Sequence, residues 1–311
     1  MKHLTDEEIT AVAALLSGER LGTFQAMAGN TRAAVALHQE MLQLAGALMS
    51  VTAVVEIALR NAVCDKLTEY FGVESWLRRP PAPFAWKDEE RGKIEAAVRS
   101  AQRAVYTKLN AFDKRALDEV AFRRGVPPGL RQEFRLDARQ KTIPVRSGQV
   151  ITQLTMYFWK RLFSNDYEQT LWKSSLKRIF PDKRVDRSVV ATQLEHIYQT
   201  RNRVAHHEPV YGRRLFDTLT AVGFVVSHLG AAGSDGCTPL HKMLRPEHTA
   251  LENQAHALQF RIDAFIGAHP TCEKRDHLHS RASRTPLREH RRACADATHS
   301  LKPRSPDPLR S

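Results

Sequence analysis

Through residues 5–268, apolar positions recur mostly at three- and four-residue intervals, the period of helices with one buried face. The spacing predicts a first helix over residues 5–17, opened by a capping box of Thr5 and Glu8 and ended by Gly18. Residues 31–71 contain no proline and are rich in Ala and Leu, so one long helix is expected up to Gly72, with Gly46 and Ser50 as places where it could kink or divide. The string RRPPAPFAW within 73–87 cannot be regular structure. Residues 88–106 return to helical spacing, with Ile94, Ala97, Val98, Ala101 and Val105 on one face. The basic stretch 107–147, centred on GVPPGLRQEF, is expected to be an irregular insertion. Residues 148–163 mix helix and strand signals and are expected to be helical, and 167–180 a short helix closed by Pro181. Ser188 is expected to cap a helix that buries Leu194, Ile197 and Val204 and ends at Glu208-Pro209. An amphipathic helix over 213–229, a linker at 230–236 and a helix over 246–266 follow. From His269 onward the apolar period is lost, which predicts a disordered basic tail. The expected fold class is all-α, a helical bundle in four segments. These are an N-terminal helical segment (1–30), the main helical domain (31–232), a linker with a C-terminal helix (233–268) and the tail (269–311).

Composition changes the picture in one respect. The 311 residues are 42% hydrophobic and 26% charged, ordinary for a globular protein, but the formal net charge is +13. A balance this basic favours polyanionic partners, nucleic acid first. Cys64, Cys237, Cys272 and Cys294 form no CxxC pair, which argues against a zinc module or a disulfide framework and suits a reducing, cytoplasmic setting. Acidic residues stand where a signal peptide needs cations, so none is expected. The most apolar run, 41–63, carries Gln43, Glu56 and Arg60 near its middle, so no membrane partner is expected.

The densest chemistry lies in TRNRVAHHEP, residues 200–209. Asn202 and His206 are four apart and share a helix face, as do Arg203 and His207. Arg201 and His206 lie roughly 140° apart around a regular helix, so they converge only if the backbone distorts ahead of Pro209 or the arginine wraps across. Arginine holds a phosphate through a planar fork of donors, and histidine gives or takes a proton near neutral pH. Together they suit RNA cleavage without a metal: a base removes the 2′-OH proton, the oxygen attacks its own phosphate, a cation stabilises the transition state and an acid protonates the leaving oxygen. The sequence contains no GxxxxGK[ST] loop, no HExxH, no GxSxG and no acidic cluster for two metals. No cofactor and no metal are expected.

Arg201-Asn202-x-x-x-His206 matches the R-x4-6-H signature of HEPN domains, and RNRVAHHEPV resembles the Abi-like proteins, the abortive-infection AbiD/AbiF type. Three further stretches look like the same family: VVEIALRNAV (54–63), GQVITQLTMYFWKRLF (148–163) and YEQTLWKSSLKRIFP (167–181). The resemblance covers roughly residues 30–230, leaving out the 107–147 insertion and the tail. It implies a HEPN-like helical bundle whose homodimer brings two motifs together, and a metal-independent endoribonuclease in phage defence or a toxin–antitoxin system. It implies that Arg201 and His206 are the catalytic pair with Asn202 orienting, and that an antitoxin or a phage-derived activator is a possible partner. Glu56-x3-Arg60 is similar to an acidic–basic element near some HEPN sites, and Arg203 and His207 stand as supporting residues. Glu56 and Arg60 share a helix face and, within an apolar helix, are expected to meet other polar groups. Two other classes stay open. One is a HEPN-like RNA-binding or sensor protein that grips without cutting. The other is an interaction protein whose tail alone meets RNA, its Arg/His cluster being only a solvated helix end.

Overall fold

The computed structural model describes residues 3–268. The segment expected to be a disordered tail, 269–311, lies outside them. The described residues are mostly helical and include no strand, the all-α class that the periodicity implies.

Two compact units are present. Of the described residues, one comprises 3–35 together with 262–268, and the other Ala36–Arg261. In the first, α1 (Asp6–Leu16) is opened by the expected box: Glu8 N–H donates to the Thr5 hydroxyl at 3.2 Å and Thr5 N–H to the Glu8 carboxylate at 2.7 Å. The chain does not stop at Gly18. Ser17 turns it at φ 70° and accepts from Arg20 N–H, and a second helix, α2 (Gly18–Ala28), starts at once. Ile9, Leu21, Phe24 and Met27 are the buried side of this pair.

The second unit is organised on α3, which runs unbroken over Thr31–Phe71, through Gly46 and Ser50, to Gly72 at φ 68°. Leu44, Leu48, Val51, Val55, Leu59, Val63 and Leu67 form a buried row at four- and three-residue steps, the spacing of one helix face. By length and composition α3 is apolar enough to cross a bilayer. A buried row runs along it, and within its apolar span Glu56 approaches Arg201, as described below.

After the 73–87 loop, α4 (Asp88–Lys108) buries Ile94, Ala97 and Ala101. The 107–147 stretch is not irregular as its composition suggests. It folds as a helical hairpin, α5 (Ala111–Ala121) and α6 (Gln132–Thr142), with GVPPG forming the turn between them. Asn110 caps α5 through the Asp113 N–H at 2.8 Å, and Asp118 accepts from Arg139 Nε at 2.7 Å and from Arg135 Nε at 3.2 Å. Charge pairing rather than a wide apolar stripe joins these helices, so the hydrophobic pattern missed them.

Residues 147–180 fall into shorter pieces than expected. They are α7 (Ser147–Ile151), α8 (Met156–Arg161), 3-10 turns at Asn165–Tyr167 and Leu176–Ile179, and a π turn at Glu168–Trp172. Phe158, Trp159, Leu162 and Phe163 are all buried, which gives this segment the mixed pattern of a chain with little exposed face. α9 (Arg187–Ala205) is capped by Asp186, which accepts from Val189 N–H at 3.0 Å, and not by Ser188, whose hydroxyl donates to Asp186 at 2.7 Å. α10 (Gly212–His228) packs along α9, and the buried hydroxyls of Thr200 and Thr218 meet between them at 2.7 Å. α11 (Pro239–Ala268) begins well ahead of residue 246 and carries Pro246 within it.

Candidate functional site

The site is built on the last turn of α9. Val190, Leu194, Ile197 and Val204 hold the helix against the core, which turns Arg201 and Asn202 to a half-buried side. The helix then ends in a defined motif. Glu208 N–H donates to Arg203 C=O at 2.8 Å and His207 N–H to Val204 C=O at 3.0 Å, with His207 at φ 55°. These are the 6→1 and 5→2 bonds of a Schellman turn, whose left-handed position is usually glycine. A histidine there costs about 1–2 kcal/mol.

His206 is the residue on which the helix lets go. Its N–H is shared between the carbonyls of Asn202 and Arg203, both at 3.1 Å, and its backbone sits at φ −96°, ψ 12°. The backbone distortion anticipated ahead of Pro209 therefore falls at His206–His207. His206 is exposed, at the end of the stripe it shares with Asn202.

Arg203 closes the turn. Its guanidinium meets Glu208 at 2.9 Å and the Pro209 carbonyl at 3.4 Å, and its buried Nε has no hydrogen-bond partner among the described residues. These contacts lie within its own turn.

Arg201 reaches another helix. Its Nε lies 3.7 Å from Oε2 of Glu56, on α3. Two stretches far apart in sequence, EIALRN and TRNRVAHH, are thus brought to one place. The Glu56 side chain is 18% exposed and that of Arg201 34%, so water screens the pair only in part. Arg60, one turn along α3, does not join them; its Nε donates to the Asn61 amide oxygen at 3.4 Å. Glu56 therefore finds its partner across helices rather than at Arg60.

A cleft of about 310 Å³ opens between α9 and α10, lined by His196, Gln199, Arg213, Arg214 and Asp217. Arg214 donates to Gln199 across it at 3.4 Å. No motif marks this cleft, because its residues are ordinary for an exposed helix pair. Of the YFWKRLF aromatics, Phe158, Trp159 and Phe163 are core, while Tyr157 is half-buried and donates its hydroxyl to Glu89 at 2.6 Å. Among the described residues no group of three or more His, Cys, Asp or Glu side chains is placed to hold a metal ion.

Comparison with family models, curated proteins and solved structures finds no match to this chain.

Proposed function

We propose that the chain is a metal-independent endoribonuclease acting in abortive infection or as a toxin, with Arg201, Asn202 and His206 as its working residues. The observation that carries this reading is the approach of Glu56 on α3 to Arg201 on α9, five residues ahead of the exposed His206 in the sequence. A carboxylate on α3 lies 3.7 Å from the Arg201 guanidinium in the last turn of α9, and His206 is the residue at which that helix ends. In this reading Arg201 stabilises charge on the scissile phosphate, and His206 exchanges the proton of the 2′-hydroxyl or of the leaving 5′-oxygen. One copy offers one such histidine, and the reaction needs both a base and an acid. A homodimer that faces two motifs supplies both. The net charge of +13 favours RNA as the polyanion, and the stretches that resemble the Abi-like HEPN proteins support the same chemistry.

End-group analysis tests the reaction type. Uniform RNA is incubated with the protein in excess EDTA and the fragments are examined. Fragments ending in 2′,3′-cyclic phosphate and 5′-hydroxyl, with cleavage blocked by a single 2′-deoxy substitution at the cut, are expected. Fragments with 3′-hydroxyl ends, or cleavage only on adding magnesium, would overturn the assignment. Salt-sensitive RNA binding without any product would favour the binding or sensor reading instead.

A further inference from the structure

We infer that the pocket between the 73–87 loop and α4 is a binding site for a nucleoside phosphate, built from residues other than those around His206 and independent of the nuclease reading. The pocket has a volume of about 520 Å³, within the range of about 300–1,000 Å³ found for small-ligand sites. Its floor is apolar: Leu77, Trp86 and Ile94 are buried, with Phe84 and Val98 half-buried beside them. The Trp86 indole is fixed by donating to the Leu77 carbonyl at 2.8 Å, and Phe84 meets its ring edge-on at a centroid distance of 4.9 Å. Trp86 is buried beneath, so the half-buried Phe84 ring presents the aromatic surface against which a flat base packs.

The rim is cationic. Arg78, Arg91, Arg99 and Lys141 line it against a single carboxylate, Glu95. Arg78 is oriented by its bond to the Val145 carbonyl at 3.1 Å and has no carboxylate partner among the described residues. Arg91 and Lys141 pair with Asp88 and Asp137, each at 2.6 Å, and Arg99 lies 4.0 Å from Glu95. These pairs are exposed and screened by water, so a phosphate competes well for their guanidinium and ammonium groups. An aromatic floor beneath several cations is complementary to a base carrying phosphates. Glu95 refines the choice: a carboxylate on the wall accepts from an exocyclic amine and has no use for a fatty-acid tail.

Calorimetric titration of the full chain tests this, with ADP, GDP, CDP and UDP as probes, laurate as the acyl anion and a short oligoribonucleotide as the polymer. At least one diphosphate is expected to bind saturably, one per chain. The affinity is expected to fall at least tenfold in Arg78→Ala/Arg99→Glu, which removes cations, and again in Val98→Trp, which fills the pocket, and to be unchanged in His206→Ala. Circular dichroism confirms that each variant is folded. Three results would overturn the inference: no saturable binding of any diphosphate up to millimolar concentration, equal binding by both pocket variants, or binding of laurate or the oligoribonucleotide alone.

Discussion

Glu90 holds the most demanding electrostatic position in the fold, and its removal has a calculable cost. Its side chain is 1% exposed, in the first turn of α4. One oxygen accepts from Arg161 Nε at 2.9 Å and the other from the Tyr167 hydroxyl at 2.7 Å. Burial, and then the bond to Glu90, push the Tyr167 hydroxyl well above its usual range, so that phenol stays a donor. At an effective dielectric constant of about 20 the Arg161 contact alone corresponds to about 6 kcal/mol of gross attraction, much of it offset by desolvation. Glu90→Ala strands the arginine and the phenol together. Losing one member of a buried pair costs about 3–5 kcal/mol. Arg161 keeps Asp166 at 2.8 Å and Glu89 at 3.8 Å, which places the variant at the lower end. A loss of about 3 kcal/mol is expected in urea unfolding followed by circular dichroism, with a fall in Tm of about 6–12 °C. Glu90→Gln keeps an acceptor and is expected to lose about 1–2 kcal/mol. A Glu90→Ala variant within about 1 kcal/mol of wild type would mean that the arginine and the phenol find water or other partners at no cost, contrary to this burial penalty.

Other perturbations follow from the same contacts. Hydrogen bonds from Arg139 and then Arg135 hold the Asp118 carboxyl far below the usual carboxylate range. Its stabilisation of the α5–α6 hairpin is therefore complete above pH ~4, the unfolded value, and is lost only as pH falls towards the lower folded value; Asp118→Asn should flatten this acid limb in hydrogen exchange over residues 111–142. His207 at φ 55° predicts that His207→Gly is more stable than His207→Val by about 1–2 kcal/mol in thermal melts, and equal stabilities would contradict the left-handed turn. Burial pushes the Cys64 thiol up to about 12; with the other three cysteines replaced by serine, Cys64 should alkylate at pH 8 at least a hundredfold more slowly than a free thiol, the thiolate being the reactive form. Glu56→Gln keeps the shape of the side chain but removes the charge facing Arg201; if Glu56 positions that guanidinium, single-turnover RNA cleavage should fall about tenfold with binding little changed, and an unaltered rate would assign the pair to stability alone.

The helices with a continuous apolar face are legible in the sequence. α3, α4, α9 and α10 lie within a few residues of their expected spans, because one buried row repeats along each. Legibility failed where that period was not the organising force. The α5–α6 hairpin is held by Asp118 and two arginines, and its GVPPG turn reads as disorder when its flanks are charged. Residues 147–180 are buried on several sides, so no single face marks their short turns. At the site, spacing placed Asn202 and His206 on one stripe and the backbone distortion just ahead of Pro209. It left the partner of Glu56 open, because a contact between α3 and α9 has no period to read. The closing role of Arg203 depends on the Schellman geometry, which its neighbours in sequence do not announce.

Single-turnover cleavage of one end-labelled RNA in excess EDTA by wild type and His206→Ala decides whether His206 takes part in RNA cleavage. Because His206 is exposed, the variant should melt like wild type. Cleavage by wild type, with a loss of at least a hundredfold in the variant and RNA binding retained, is the expected result. Equal cleavage rates in the two proteins would contradict it.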